Sequence, residues 1–421
     1  MPVRPTVQVV GRRMDAEHYR LRDFLTRTAQ PYDWYEAGSD DADRFLETHG
    51  LAQATLPVLV DGEEAYPAAT VESIFRAWGG DRPAQRKHYD FVVIGAGPAG
   101  LAAAVYAASD GLSTLVCDSD VPGGQSSYAT MIENFFGFPE GIGGAELARL
   151  AARQAEKFGA ELMLMRGVTG GRMNGHDEPV GLKFDDGSEV TASVVLAAPG
   201  MEWTRFDLDG IEDLIGDGVY YGAGRSEAAQ CAGQDVVVVG AGNSAGQAVL
   251  NFANQTARVT MLVRGDRLAK SMSAYLIERI EHHPLIDVRL ETQLTGLHAS
   301  GGQLEAVTFT DSSGRDETRR VDGAFLCLGG RPHTEWCSRE HVITDDRGFI
   351  LTGPDLRGQA GLPDCWPLER DPLALETSRV GLFAAGDVRH GSTKRVAAAV
   401  GEGSMVASLI FSRLAELGVT Y

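Results

Sequence analysis

The sequence predicts an α/β protein with two Rossmann-like dinucleotide-binding domains and a small N-terminal domain. Two glycine-rich turns, at Gly95 and Gly240, each follow an apolar strand and open a helix. A separate strand–helix pattern fills roughly the first 80 residues. The chain of 421 residues is long enough for two or three domains.

Composition narrows the class of protein. The net charge of −20 repels polyphosphates, so nucleic acid is not expected as a partner. No continuous apolar run reaches the roughly 18 residues that span a bilayer, so no membrane association is expected. The 5 cysteines are scattered and never spaced as CxxC, which favours free thiols in a reducing cytoplasm and gives no support for a metal site.

The N-terminal region, residues 1–80, is predicted to fold as a unit of its own, and residues 81–88 are predicted to be a linker. Its apolar and polar pattern alternates between strand and helix periods. The predicted elements are a strand at Thr6–Val10, helices at Ala16–Thr28 and Asp40–His49, a strand from Thr55 to about Val60, and a helix at Val71–Trp78.

This order resembles a thioredoxin/glutaredoxin-like domain, and Pro57 matches the family's cis-proline. The family carries its CxxC after the first strand. The corresponding stretch here, Met14–Tyr19, has no cysteine, and none occurs before Cys117. Dithiol chemistry is therefore excluded from this region. We expect a docking or dimer-packing module rather than a redox carrier.

The first glycine-rich turn has the full context of a dinucleotide-binding loop. It follows the strand Tyr89–Ile94; Gly95 permits the tight turn, Gly97 lets backbone amides approach a pyrophosphate, and Gly100 lets the helix pack on the strand. The phosphate is expected at the helix N-terminus. Asp118 ends the next strand, Thr114–Asp118, where its carboxylate can accept from an adenosine ribose.

The second turn repeats the pattern after the strand Asp235–Val239. The next strand, Val259–Val263, is followed by Arg264, where the first repeat has Asp118. A guanidinium can bind a 2′-phosphate through two parallel N–H bonds, whereas a carboxylate would repel it. The pattern favours NADPH over NADH, and solvated surface arginines are the alternative. The residues predicted to hold this cofactor are Gly240, Gly242, Asn243, Ser244, Ala245, Arg264 and Arg267.

Three further motifs carry a resemblance to a known family. Pro122–Gln125, Ile132–Pro139 and Gly381–Val388, together with the two turns, look like the low-molecular-weight thioredoxin reductases from residue 89 to about residue 415. The resemblance implies an FAD domain in two segments, 89–204 and 331–421, with the NADPH domain, 205–330, inserted between them. It also implies a homodimer.

The FAD residues rest on the first turn and on this resemblance. Asp387 is placed to accept from a ribityl hydroxyl, and the helix after Arg395 could direct its amides at the flavin, although a surface role for Arg395 stays open. Ala197–Gly200 stands where the family shows Ala-Thr-Gly, so one FAD contact departs from the pattern. The implied residues are Gly95, Gly97, Ala99, Gly100, Asp118, Gly123, Gly124, Gln125, Asn134, Gly386, Asp387, Arg395, Val396 and Ala397.

One feature of the family is missing. Its redox CxxC follows a Gly-Val-x-Tyr stretch, which here is Gly218–Tyr221, and the two cysteine positions are Gly222 and Arg225. Neither residue can take electrons from a reduced flavin or form a mixed disulfide. Arg225 and Tyr221 could still act near the flavin, or simply fill a loop. No catalytic residue is predicted with certainty.

The sequence therefore predicts a flavoenzyme that passes hydride from NADPH to FAD and then electrons to an unknown acceptor, such as a small redox protein, without an internal disulfide. Hinges of the inserted domain are expected near Gly200–Phe206 and Gly329–Pro332. A ferredoxin- or flavodoxin-NADP reductase is one alternative, although an acidic chain needs a local basic patch to dock acidic ferredoxin. A non-enzymatic flavin sensor or scaffold is another.

Overall fold

The structure is a computed structural model that describes residues 4–222, 228, 231–255, 257–337, 341–358 and 361–419. The chain divides into two compact units. Unit 1 contains residues 1–78, 128–131 and 203–329. Unit 2 contains residues 79–127, 132–202 and 330–421.

The strands are numbered β1 to β21 in chain order. They are Val7–Gly11, Tyr32–Glu36, Val58–Asp61, Glu64–Tyr66, His88–Ile94, Thr114–Asp118, Glu161–Leu164, Val168–Arg172, Val180–Phe184, Glu189–Ala197, Met201–Trp203, Val219–Tyr221, Asp235–Val239, Arg258–Val263, Ile286–Leu290, Thr292–Ser300, Gln303–Asp311, Asp316–Arg320, Gly323–Leu326, Gly330–Pro332 and Leu382–Ala384.

The α-helices with described bounds are numbered α1 to α8. They are Ala16–Arg27, Asp40–Thr48, Val71–Ala77, Pro98–Ser109, Gly144–Lys157, Asn243–Asn254, Ala274–Glu281 and Val396–Glu416. In the N-terminal region each helix begins at a polar cap: Asp15, Ser39 and Thr70 accept from backbone amides of the first turn. Such caps satisfy amides that would otherwise lack a partner.

Unit 2 is built on a sheet whose parallel strands run in the order β7-β6-β5-β10-β21, with β9 and β8 extending it as an antiparallel hairpin. The consecutive apolar residues of β5, β6 and β10, such as Phe91–Val93, Leu115–Cys117 and Val194–Ala197, are buried, as in parallel strands covered on both faces. The order third–second–first–fourth strand is that of a Rossmann-type sheet.

Unit 1 contains a second sheet of the same type, in which all five strands are parallel and run in the order β15-β14-β13-β19-β12. An antiparallel sheet of β16, β17 and β18 packs beside it around Leu294, Val307 and Phe309. Both predicted dinucleotide-binding sheets are therefore present. The strands β6 and β13 have the bounds that the sequence predicted.

The N-terminal region of unit 1 forms a four-stranded sheet in the order β2-β1-β3-β4, flanked by α1, α2 and α3. The prediction named neither β2 nor β4. It also began the third strand too early, at Thr55: β3 begins at Val58, because Pro57 has no N–H to donate to a ladder. The Leu56–Pro57 peptide bond is cis. At the far end of the region, β5 begins at His88, inside the predicted linker.

Among the described residues, α8 is long and apolar enough to cross a membrane, judged by its length and composition alone. Its sequence carries Glu402 and Arg413. It packs against α4, and a Cβ on Gly403 would lie 2.1 Å from the carbonyl oxygen of Ala99. The face of α8 that carries Gly403 is therefore packed against the first glycine-loop helix, and a third of its apolar window is buried.

Candidate cofactor-binding sites

The first glycine-rich turn is shaped by two contacts that admit no side chain. Gly95 has a φ of +108°, and a Cβ there would lie 2.2 Å from the carbonyl oxygen of Ala198. A Cβ on Gly100 would lie 1.9 Å from the carbonyl oxygen of Gly95. At Gly97, by contrast, a Cβ would meet nothing within 4 Å. The turn is tight where strand and helix meet, and open where a pyrophosphate would approach.

The N-terminus of α4 is available to an anion. Its cap residue, Gly97, has no side chain to accept from the first-turn amides, and Pro98 stands at the first helical position. Helix α6 begins in the same way at Gly242, without a side-chain cap. Unpaired amides and the helix macrodipole favour a negatively charged group at both ends. These two helix starts fit the phosphates of two dinucleotides.

Asp118 holds the first turn in shape as well as facing it. Its Oδ2 accepts from the amide of Ala96 at 2.6 Å, and its Oδ1 accepts from the amide of Asp120 at 2.9 Å. A carboxylate has about four acceptor sites, so it can also accept from a ribose hydroxyl. The predicted ribose ligand is thus also the residue that orders the backbone of the turn.

The Gly123–Gln125 segment lies beside this turn. The amide of Gly123 donates to the carbonyl oxygen of Ala96 at 2.8 Å, and a Cβ on Gly124 would lie 3.6 Å from the Cα of Gly97. Both glycines have left-handed φ values, +109° and +53°. The side chain of Gln125 donates to the carbonyl oxygen of Met201 at 3.0 Å, so it orders the backbone of unit 2.

The C-terminal motif meets the first glycine-loop helix at Ala99. A Cβ on Gly386 would lie 3.0 Å from the Cβ of Ala99. The amide of Gly386 donates to Oε2 of Glu402 at 2.7 Å, and Oε1 of that carboxylate accepts from Arg389, also at 2.7 Å. Sequence reasoning missed Glu402, because no local pattern marks a helical glutamate that folds back onto a turn.

Asp387 is half-buried beside this turn. Burial raises the pKa of its carboxyl above the usual range; Lys394 opposes the shift and Glu402 adds to it. The ammonium group of Lys394 donates to the carbonyl oxygen of Asp387 at 2.5 Å. Within the residues that the structure describes, the carboxyl oxygens of Asp387 make no hydrogen bond, so they can accept from a sugar or ribityl hydroxyl.

Two other parts of the predicted flavin site are exposed. Arg395 is the N-terminal cap of α8 without a side-chain cap bond, and Val396 and Ala397 open the helix at the surface. Asn134 is exposed in the segment that Ile132 and Ile142 close through mutual backbone hydrogen bonds. Within the described ranges its side chain makes no hydrogen bond, so the structure does not join Asn134 to the rest of the set.

The second turn reproduces the geometry of the first. Gly240 has a φ of +148°, and a Cβ there would lie 2.3 Å from the carbonyl oxygen of Cys327, whereas one on Gly242 would meet nothing within 4 Å. Asn243 accepts from the amide of Ser273 at 2.7 Å and thereby fixes the loop after β14. Ala245 is buried against the sheet, and Ser244 is exposed.

Arg264 and Arg267 follow β14 directly, and both are exposed. In the part of the chain that the structure covers, neither guanidinium has a hydrogen-bond or ion-pair partner. The neighbouring Asp266 is paired with Lys270 at 2.7 Å instead. Two unpaired guanidinium groups thus stand at the carboxyl edge of the sheet, where the ribose end of a dinucleotide lies.

Gly222, which stands at one of the two cysteine positions of the family, has a left-handed backbone conformation. Gly222 has a φ of +77°, and a Cβ there would lie 3.2 Å from the ring of Trp203. Tyr221 accepts from the amide of Phe206 at 2.9 Å, and Arg205 lies over its ring at 5.4 Å. Tyr221 therefore has a structural role, and Arg225 lies outside the described residues.

The chain is similar in sequence and in fold to known thioredoxin reductases. Residues 89–403 match the model of the pyridine nucleotide-disulphide oxidoreductase family. The chain is 32% identical to a thioredoxin reductase of Bacillus subtilis over 339 residues, covering 80% of this chain and 98% of the relative. A thioredoxin reductase of Treponema pallidum is 31% identical over 76% of this chain and 95% of its own. The solved thioredoxin reductase of T. acidophilum aligns at 26% identity with a TM-score of 0.67, covering 78% of this chain and 99% of that one.

Proposed function

The chain belongs to the pyridine nucleotide-disulphide oxidoreductase family and is a thioredoxin reductase-like enzyme, and from this premise we propose that it oxidises NADPH through FAD and delivers the electrons to an acceptor without an internal disulfide. The family implies FAD and a nicotinamide dinucleotide. The choice of NADPH, the acceptor and the route to it are the parts that we propose.

The cofactors supply the hydride and electron transfer, and the residues of this chain position them. The first turn, with the N-terminus of α4, would hold the pyrophosphate of FAD, and Asp118 and Asp387 would accept from its hydroxyls. The second turn, with the N-terminus of α6, would hold the pyrophosphate of NADPH. Arg264 and Arg267 would bind its 2′-phosphate, which is what distinguishes NADPH from NADH.

The conformation of Gly222 carries the proposal that no internal disulfide is used. A cysteine at this position would need a left-handed φ, which costs about 1 kcal/mol or more, and its side chain would press on Trp203. All five cysteines are free, and four of them, Cys117, Cys231, Cys327 and Cys337, are buried. Burial raises the pKa of the Cys327 and Cys337 thiols to about 12, which suppresses the reactive thiolate.

The proposal is tested with the purified, flavin-loaded protein under anaerobic conditions. NADPH should bleach the flavin absorbance, and oxidised thioredoxin, ferredoxin, quinone and oxygen are then added in parallel. Thioredoxin should reoxidise the flavin no faster than buffer does, and another acceptor should do so within seconds. Rapid reoxidation by thioredoxin alone would contradict the proposal.

A double variant gives the matched control. Gly222→Cys combined with Arg225→Cys restores the family's cysteine spacing but not the local conformation at residue 222. We expect flavin reduction by NADPH to be retained and thioredoxin turnover to remain at the level of the parent protein. A protein that cannot be loaded with flavin would overturn the cofactor assignment itself.

A further inference from the structure

The N-terminal region of unit 1 contacts the inserted nucleotide-binding sheet at its edge strand, β12. The turn that precedes β12 has no room for a side chain at Gly216: a Cβ there would lie 2.6 Å from the Cα of Ala16. A Cβ on Gly218 would lie 2.9 Å from the Cε of Met14. The two backbones therefore touch at the first residue of α1.

Two side chains of the N-terminal region reach both faces of the sheet. Consecutive residues of β12 point to opposite faces. Met14 packs against the hydrophobic cluster that contains Val219, on one face. Tyr19 packs against the cluster on the other face, where its ring lies 4.8 Å from that of Tyr220. The start of α1 thus straddles the edge strand.

Polar contacts fix the same junction. The side-chain amide of Gln303 donates to the carbonyl oxygen of Met14 at 2.7 Å. The guanidinium of Arg13 donates to the side chain of Gln234. The turn itself is held within the sheet, because Tyr220 donates to the carbonyl oxygen of Gly216 at 3.2 Å. The junction therefore combines apolar burial with satisfied polar groups.

The stretch in contact is the one that corresponds to a thioredoxin-type CxxC. Asp15 caps α1 by accepting from the amides of Glu17 and His18. His18 is buried and accepts from the amide of Arg12 at 2.8 Å. A carrier of electrons must expose this face to its partners. Here Met14 and Ala16 lie against the sheet edge, and both are half-buried.

We propose that residues 4–78 are a permanently docked cap on the edge strand β12, and that the partner of the 216–220 surface is this chain's own N-terminal region. The cap covers the 216–218 turn and apolar side chains on both faces of β12, which would otherwise be open to other chains. It moves with the nucleotide-binding sheet and does not shuttle. An electron acceptor must therefore dock elsewhere. Docking does not depend on electron transfer, so it stands or falls separately from the proposed function.

The test is hydrogen–deuterium exchange of the flavin-loaded full-length protein. Gly216→Ala places a methyl group against Ala16 and should speed exchange in residues 13–19 and 216–220 by about tenfold. Gly210→Ala is the matched control: Gly210 has a similar φ, +77°, and a Cβ there would meet nothing within 4 Å. The control should leave exchange in both segments unchanged.

A milder variant guards against misfolding. Gln303→Ala removes one bond to Met14 and should raise exchange of residues 13–19 by about fivefold, while the exposed Gln293→Ala should not. The proposal is overturned if residues 13–19 of the parent protein exchange as fast as the exposed first turn of α2. Equal exchange in the Gly216→Ala and Gly210→Ala proteins would overturn it as well.

Discussion

At the scale of single residues, two glycine substitutions distinguish the effect of backbone strain from that of steric contact in the first glycine-rich turn. Gly95→Ala and Gly111→Ala both place alanine at a left-handed φ, +108° and +94°. Each should lose about 1–2 kcal/mol from that cause. Only the Gly95 methyl group would also meet the Ala198 carbonyl oxygen, at 2.2 Å. Gly95→Ala should therefore purify largely without flavin, as measured by the ratio of absorbance at about 450 nm to that at about 280 nm.

Gly111→Ala should lower the melting temperature modestly and keep a full complement of flavin. If both variants lost flavin equally, strain alone would explain the loss, and the close approach at Ala198 would not matter.

Arg264 is the residue on which nucleotide choice should depend. Removing an exposed guanidinium that binds a phosphate costs about 1.5–3 kcal/mol of binding, so Arg264→Ala should raise KM for NADPH roughly 10- to 100-fold. KM for NADH should hardly change. Arg258→Ala is the control, since Arg258 lies at the opposite end of the same strand and pairs with Asp235 at 2.7 Å. An equal effect on NADH and NADPH would contradict the assignment.

Asp217 should make stability depend on pH. Burial, and then the charge of Asp15, raise the pKa of its carboxyl above 3.8 in the folded protein. The folded state therefore favours the protonated form, and the associated stability is lost as pH rises through the raised pKa. Asp217→Asn should raise the melting temperature at pH 7 and have little effect near pH 4. The exposed Asp213→Asn should show no such difference, and thermal unfolding at the two pH values decides it.

At the scale of elements, two glycines of α8 should respond in opposite ways. Gly401 is exposed, and a Cβ there would meet nothing within 4 Å, so Gly401→Ala should stabilise the helix by about 0.5–1 kcal/mol. Gly403→Ala would press a methyl group on the backbone of α4 and should destabilise the protein by about 1–3 kcal/mol. Denaturant unfolding followed by flavin release measures both. Stabilisation by Gly403→Ala would contradict the close packing of α8 on α4.

Strand β13 and the contact between α8 and α4 show what the sequence can and cannot predict. Strand β13 was predicted with its observed bounds because a run of valines between turn residues has few other structures open to it. The contact of Gly403 with Ala99 was not predicted, because the two residues are distant in the chain and only the tertiary fold brings them together. The Trp203 ring over Gly222 escaped prediction for the same reason. Local chemistry was predictable at the turns, whereas packing between elements was not.

At the scale of the whole molecule, the charge of −20 should govern which acceptors react quickly. This charge attracts a positively charged acceptor over long distances, and dissolved salt weakens that attraction. Its kcat/KM should fall about tenfold between low and moderately high ionic strength. An acidic ferredoxin should show the opposite trend, and a neutral quinone should show none. Steady-state rates across a salt series test this, and a fall with the acidic acceptor would point to a local basic docking patch.

The short sheet of β11 and β20 has a consequence for how such a chain can change. The backbone leaves unit 2 within β11, after Glu202, and returns to it at Gly330, the first residue of β20; these two strands are hydrogen-bonded neighbours. Residues 203–329 are therefore tethered at two adjacent points, so their removal would leave a gap that a short loop could close. A segment joined in this way is a natural cassette. Recombination that replaces residues 203–329 could change the coenzyme preference, while the rest of the chain keeps its fold.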